Sequence, residues 1–156
     1  HKLSRDEANK QAQALIDKSG LTGFEGKHPS QLSGGMQRRA ELIRALINKP
    51  QVMLFDEPLR GLDAMTRQIM QEYIIKMFEE TGMTMFFITS DVDEAIFLGD
   101  TVYFLTDRPG KVKTKMEVDL PRPRKLEHLT SERYFQLKGD AIKIVMEEAK
   151  GEKLVI

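Results

Sequence analysis

The sequence has no cysteine and no tryptophan. Without a thiol, a disulfide scaffold, a thiolate zinc site and a cysteine nucleophile are all excluded, and the chain fits a reducing compartment. Histidine is scarce: His1, His28 and His128 lack the spacing of a metal-ligand pair and read as surface or loop residues. Neither sign of charge is in excess, because 24 Lys plus Arg balance 24 Asp plus Glu. That balance leaves no basic footprint and argues against a nucleic-acid partner. Long apolar runs are also missing; Met85-Phe86-Phe87-Ile88 falls far short of the roughly 20 residues that a membrane-spanning helix needs. No signal peptide is visible, and the chain starts at His1 rather than Met, as a piece of something larger would.

What is present suits a soluble globular domain: 156 residues, 40% hydrophobic and 31% charged. Ser4 and Glu7 form a capping box for a first helix whose apolar face is Ala8, Ala12, Leu15 and Ile16, with Ser19-Gly20 as its stop. After a glycine-rich loop, a second helix is expected from Ser33 to Ile47, with Met36, Ala40, Ile43 and Ile47 as its buried stripe. The rhythm then changes to alternating strands and helices. Val52 to Phe55 reads as a parallel strand covered on both faces, Thr84 to Ile88 as a second buried strand, and Thr101 to Leu105 as a third. Asp63 caps a helix running to Glu80, with Met65, Ile69, Tyr73 and Met77 on one face and Gly82 as its end. Asp91 and Glu94 are expected to make another capping box, opening a short helix through Leu98. From 111 to 118 strict alternation marks a one-sided edge strand, its lysines turned to solvent. Pro121-Arg122-Pro123-Arg124 reads as an extended, solvated linker. The last helix, Ser131 to Ala149, presents Phe135, Ile142, Val145 and Ala149. The methionine-rich helix faces read as core, and Arg38, Arg39 and Arg44 as a solvated face.

Two features carry chemistry. Asp56-Glu57 closes the first strand, and ligand sites in open α/β sheets lie beyond the carboxyl ends of strands. Adjacent carboxylates there resist desolvation unless a cation or strong donor shares the site. The Asp suits a magnesium ion that keeps several waters, and the Glu could deprotonate an attacking water; an inert, solvated strand exit is the plainer alternative. Ser33-Gly34-Gly35, opening a helix, offers a hydroxyl, backbone amides and the helix dipole to a phosphate, or else is an ordinary serine cap with a flexible glycine pair.

LSGGMQRRAELIRAL at 32–46, VMLFDEP at 52–58, GLD at 61–63 and ITSD at 88–91 occur in one order at one spacing. Together they resemble the ATP-binding cassette (ABC) ATPases, the nucleotide-binding domains of ABC transporters, with LSGGMQ similar to the family signature, VMLFDE to its Walker B strand, GLD to its D-loop and ITSD to its switch loop. The segment 80–112 is similar to importer cassettes for nitrate, sulfonates and taurine. The resemblance implies an α/β fold, P-loop NTPase-like but partial: a mainly parallel sheet with helices, plus a small helical subdomain. It divides the chain into a helical signature subdomain (1–48), the C-terminal part of the ATPase core (49–120), and a linker with a C-terminal helix (121–156). By the same resemblance Asp56 would hold magnesium through water and Glu57 would be the general base. Ser33, Gly34, Gly35 and Gln37 would touch the γ-phosphate of ATP on a partner subunit, and Asp63 would lie at that dimer interface. The implied partners are a second nucleotide-binding subunit and a transmembrane permease, at the cytoplasmic face of the membrane.

Two departures qualify this. A phosphate loop reads GxxxxGK[ST], but Gly26-Lys27 and Gly110-Lys111 are followed by His28 and Val112, so neither qualifies. The sequence looks like the C-terminal portion of a cassette, unable by itself to hydrolyse ATP and with strands 52–55 and 84–88 expected to expose apolar edges. Second, Ser90 stands where the family has a histidine, and its shorter hydroxyl carries no charge near neutral pH. A degenerate, non-catalytic half acting as an interaction module is therefore the alternative function. A repair cassette is disfavoured, since only a short helix precedes the signature.

Overall fold

The computed structural model describes residues 4–151, with side chains through Glu148. His1 and the side chain of Ala149, both named above, lie outside the described residues. The elements are α1 (Arg5–Lys18), α2 (Gly34–Leu46), β1 (Val52–Asp56), α3 (Ala64–Thr81), β2 (Thr84–Ile88), α4 (Val92–Leu98), β3 (Thr101–Leu105), β4 (Val112–Glu117) and α5 (Glu132–Gly151). They fall into two compact units that meet in sequence at Phe86/Phe87. The expected parallel pairing is held by β1 and β2, while β3 pairs antiparallel with β4 in a sheet of its own.

In the first unit, the α1 capping box forms as expected: the Glu7 amide donates to Ser4 Oγ at 3.3 Å and the Ser4 amide to the Glu7 carboxylate at 2.9 Å. The α1 face of Ala8, Ala12, Leu15 and Ile16 is only half-buried. Gly20, at φ +67°, ends the helix in the left-handed region that glycine tolerates. In α2 the expected stripe is also half-covered, and the fully buried positions are Gly35 and Leu42. Arg39 is not a solvated residue: its Nη1 donates to the Ser19 carbonyl at 2.7 Å, tying α2 to the end of α1. Arg38 instead pairs with Glu41 at 2.8 Å, and Arg44 is exposed.

The strand β1 departs from expectation. Met53 and Phe55 are buried, but Val52 is exposed and Leu54 is 76% exposed, so one face is covered rather than two. An uninterrupted apolar run fits coverage on both faces, but it cannot show that both covers exist among the described residues. Phe86 and Ile88 of β2 are likewise exposed, so it is outer faces, beyond any edge, that stay open. The buried row of α3 is Met70, Ile74 and Met77 with Gln71 and Ile75. Of the predicted row only Met77 is buried and Tyr73 is half-buried; Met65 is 68% exposed and Ile69 is exposed, so Met65 is not core. The helix is apolar around most of its girth, and periodicity alone does not choose between two adjacent apolar stripes.

The second unit has a core of Ile96, Phe104, Val118, Leu120, Tyr134, Leu137 and Ala141. Asp91 caps α4 by accepting from the amides of Asp93 (2.9 Å) and Glu94 (3.2 Å), and the buried Glu94 carboxylate accepts from Thr89 Oγ1 at 2.8 Å. The β3–β4 ladder runs from Thr101 opposite Glu117 to Leu105 opposite Val112, with an irregularity at Phe104/Leu105. One lysine of the expected solvated row is recruited inward: Lys113 pairs with Glu148 at 2.9 Å and donates to the Ile144 carbonyl at 3.3 Å. The α5 stripe is also rotated from expectation. Tyr134, Leu137 and Ala141 are buried, whereas Phe135 (59%), Ile142 and Val145 are exposed. Polar bonds set that rotation: the Tyr134 hydroxyl donates to Asp93, and Lys138 lies 2.8 Å from the same carboxylate.

The 121–124 segment bends at Arg122-Pro123 and is not the extended, solvated linker expected. Arg124, 4% exposed, donates to the carbonyls of Leu120, Gly99 (3.1 Å) and Val118 (3.2 Å). Arg122 donates to Asp100 at 2.6 Å and to the Leu98 carbonyl at 3.1 Å. A guanidinium offers five donors in a fixed fork, which lets one side chain gather several chain-end carbonyls.

Arg124→Ala strips three carbonyls of a donor and should cost about 2–4 kcal/mol in urea unfolding, against less than about 1 kcal/mol for the partly exposed Arg122→Ala. A second expectation concerns acid. Burial pushes the Asp93 carboxyl up, but the bonds from Lys138 and Tyr134 outweigh it and hold it below its ordinary value. Its stabilising contribution is therefore present above the unfolded carboxylate pKa of about 3.9 and lost as pH falls through the lower folded value. Urea midpoints measured from pH 7 down to about 2.5 should fall less steeply at the acid end for Asp93→Asn than for the parent chain.

Candidate functional site

Two groups of candidate residues lie in the first unit, one where the starts of α2 and α3 meet and one at the carboxyl end of β1. Ser33 caps α2, its Oγ accepting the Met36 amide at 3.3 Å, and is exposed. Asp63 caps α3 in the same manner, its Oδ1 accepting the Thr66 amide at 3.0 Å, and these bonds to Thr66 hold its carboxyl below the ordinary range. The two caps belong to helices in contact. A Cβ on Gly34 would lie 3.5 Å from Leu62 Cδ2, an ordinary contact. One on Gly35 would lie 2.7 Å from Thr66 Cγ2, nearer than real Cβ atoms come, so any larger residue there must displace the Thr66 side chain or the helices themselves. Ser33, Gly34 and Gly35 are thus brought together with Leu62 and Asp63 in the first unit.

Gln37 faces the loop before it. Its Nε2 donates to the Pro29 carbonyl at 2.9 Å and the Leu32 carbonyl at 3.0 Å, so both amide protons brace the turn that leads into Ser33.

Asp56 ends β1 and is exposed. Glu57 follows at φ 44°, a left-handed conformation uncommon for a residue with a side chain and costing of order 1 kcal/mol. Its carbonyl accepts the Arg60 amide at 3.2 Å, closing a turn that the buried Leu59 anchors. Two consecutive carboxylates, Asp56 exposed and Glu57 half-buried, thus stand at the strand tip. Beside Asp56 lies a cavity of about 210 Å3, lined also by Arg38 and Glu41 of α2 and by Phe55, Leu59 and Met70. Among the described residues, no group of three or more His, Asp or Glu could hold a metal by itself. The donor set fits a magnesium ion bound through water and phosphate oxygens, where one or two carboxylates suffice, and not an all-protein cage. Ser90 sits in the second unit, exposed between β2 and the Asp91 cap of α4.

Sequence reasoning missed Thr66, Leu62 and the tie made by Arg39. Nothing in the residue pattern singles out Thr66, because a third-position threonine in a helix has many uses. The helix-to-helix approach that makes it matter exists only after folding.

Comparisons with known proteins point to one family. A family model described as "ABC transporter" matches residues 1–60. An uncharacterized ABC transporter ATP-binding protein of Methanocaldococcus jannaschii is 40% identical over 146 residues, covering 94% of this chain and 54% of that protein. The nitrate import ATP-binding protein NrtC of Synechococcus elongatus is 36% identical, covering 98% of this chain and 24% of its own length. The aliphatic sulfonates import ATP-binding protein SsuB of Shigella flexneri is 38% identical, with 92% and 54% covered. Among solved structures, the dimeric post-hydrolysis state of the ATP-binding cassette MJ0796 bound to ADP and Pi superposes with a TM-score of 0.62 and 31% identity, over 78% of this chain and 51% of that one. The chain therefore spans about half the length, or less, of these relatives.

The close approach at Gly35 gives a direct expectation. Gly35→Ala should destabilise the chain by about 1–3 kcal/mol despite alanine's better helix propensity. Thr66→Ser, which removes the facing methyl, should recover most of that loss in the double variant, as read from denaturant midpoints.

Proposed function

Since the chain belongs to the ATP-binding cassette family of transporter ATPases, we propose that it supplies the signature face and the Walker B carboxylates of an importer's ATP-hydrolysing subunit. The observation that supports this most is the strand tip. Asp56 and the left-handed Glu57 project from the end of β1, in the unit that also carries the Ser33 and Asp63 caps. Asp56 would hold magnesium through water, and the metal would supply charge neutralisation at the phosphates. Glu57 would accept the proton of the water that attacks the γ-phosphate, a role worth about 10²–10⁴ in rate. Ser33, with the backbone at Gly34 and Gly35, would grip the γ-phosphate of a nucleotide held by a partner subunit, where free amides and the helix dipole favour an anion. Gln37 would reach the same phosphate by turning its amide N–H groups away from the Pro29 and Leu32 carbonyls, or else would position the turn that holds it. Asp63 would sit at the interface between the two subunits.

In this assignment residues 1–48 act as the signature subdomain, 49–120 as part of the ATPase core and 121–156 as linker and terminal helix. A transmembrane permease and a second nucleotide-binding subunit are the partners, at the cytoplasmic face of the membrane. No described helix is long and apolar enough to cross a membrane.

Ser90 favours a second reading, a degenerate half that lends its signature face and does no chemistry of its own. A hydroxyl in place of a charged, positioned donor costs about 10²–10³ in turnover. In a complete cassette carrying this sequence, Glu57→Gln should lower magnesium-dependent ATP turnover by at least about 10²-fold, and Ser90→His should raise it. The 156-residue chain alone should show no turnover. An unchanged rate in Glu57→Gln would remove Glu57 from the chemistry, and no gain from Ser90→His would return Ser90 to an inert loop position.

A further inference from the structure

A trough of about 540 Å3 lies in the first unit among α1, the end of α2 and the last turns of α3, away from the strand tip. Its volume is in the range of small-molecule sites. The floor is apolar: Leu15, Ile47, Met77 and Met83 line it, the last two buried. The polar lining is unequal in charge, with Lys18, Lys49 and Lys76 facing a single carboxylate, Glu80. Glu80 is shared, at 3.2 Å from Lys18 and 4.0 Å from Lys76. Lys49, held at φ 48° where the chain leaves α2, has no side-chain hydrogen bond or ion pair among the described residues. The half-buried Tyr73 also lines the trough, and its hydroxyl has no hydrogen-bond partner among them. An ammonium and a phenolic donor, both unengaged, thus stand in the wall of an apolar trough with surplus positive charge.

We propose that this trough binds a single-chain amphiphile with an anionic head, an alkyl carboxylate, its tail on Leu15, Ile47 and Met77 and its head at Lys49 and Tyr73. A bare anion would gain nothing from the apolar floor, and a neutral or cationic chain would leave the lysine surplus unanswered. Hydrogen bonds from Lys49 and Tyr73 to a carboxylate are charge-assisted, the stronger class. Burial holds the Tyr73 phenol above its ordinary pKa, so it stays a donor across the neutral range. This site is independent of the nucleotide reading, since neither Ser33 nor Asp56 lines it.

The test uses the whole chain and dodecanoate below its micelle concentration, followed by methionine-methyl NMR and calorimetry. One saturable site per chain is expected, with shifts at the Met77 and Met83 methyls. Lys49→Gln and Tyr73→Phe, both mild changes at the wall, should each weaken binding by about tenfold, the worth of one charge-assisted bond. Dodecyltrimethylammonium should bind at least about tenfold more weakly, and acetate should shift nothing. Equal binding of the cationic chain, unchanged affinity in both variants, or shifts confined to Met65 or Met146 would overturn the proposal. So would a concentration-dependent dimer that dodecanoate dissociates, which would assign the trough to a second copy of the chain.

Discussion

The candidate site depends on a single steric constraint, the absence of a side chain at Gly35 where the Thr66 methyl lies. Because nothing projects from that position, the first turns of α2 and α3 come into contact, and their caps, Ser33 and Asp63, are carried on one packed pair. A protein interior at crystal-like density transmits displacement instead of absorbing it. Movement of one cap is therefore movement of the other. Gly35 thus has a packing reason of its own, apart from any part in the proposed phosphate grip.

Beside that pair, the strand tip shows how local strain and chemistry coincide. Leu59 is buried and fixes the turn after Glu57, while Glu57 itself takes a backbone conformation that side chains avoid. The energy stored there is small, of order 1 kcal/mol, and it falls on one of the two carboxylate residues at the strand tip. In the second unit, buried polar side chains gather partners from several elements. Arg124 collects chain-end carbonyls around β3 and β4, and Asp93 takes bonds from both Tyr134 and Lys138 of α5. Those bonds rotate α5 so that Leu137 and Ala141 face inward and Phe135 does not.

Much of this was legible beforehand, and the failures share one cause. Caps at Ser4, Ser33, Asp63 and Asp91, the stop at Gly82 and the limits of β2 and β3 follow from the chemistry of a few consecutive residues, and they came out as read. The wrong face was chosen for α3 and α5 because each has two apolar stripes, and periodicity ranks stripes by composition, not by what lies opposite. Arg39 and Arg124 looked solvated because arginine usually is; only the carbonyls of Ser19, Gly99 and Val118 gathered from distant positions make them internal. The site's membership was visible as motifs, but the contact that joins two of its parts was not.

The sequence alone determined where most elements begin and end, the helix caps at Ser33 and Asp63, and the family to which the motifs point, since each is a property of neighbours in the chain. Only tertiary structure decided which helix faces are covered, that Gly35 and Thr66 touch, and that three lysines and Tyr73 share a trough with one glutamate. Those outcomes depend on groups tens of residues apart competing for the same volume and the same carbonyls, and no local pattern records who wins.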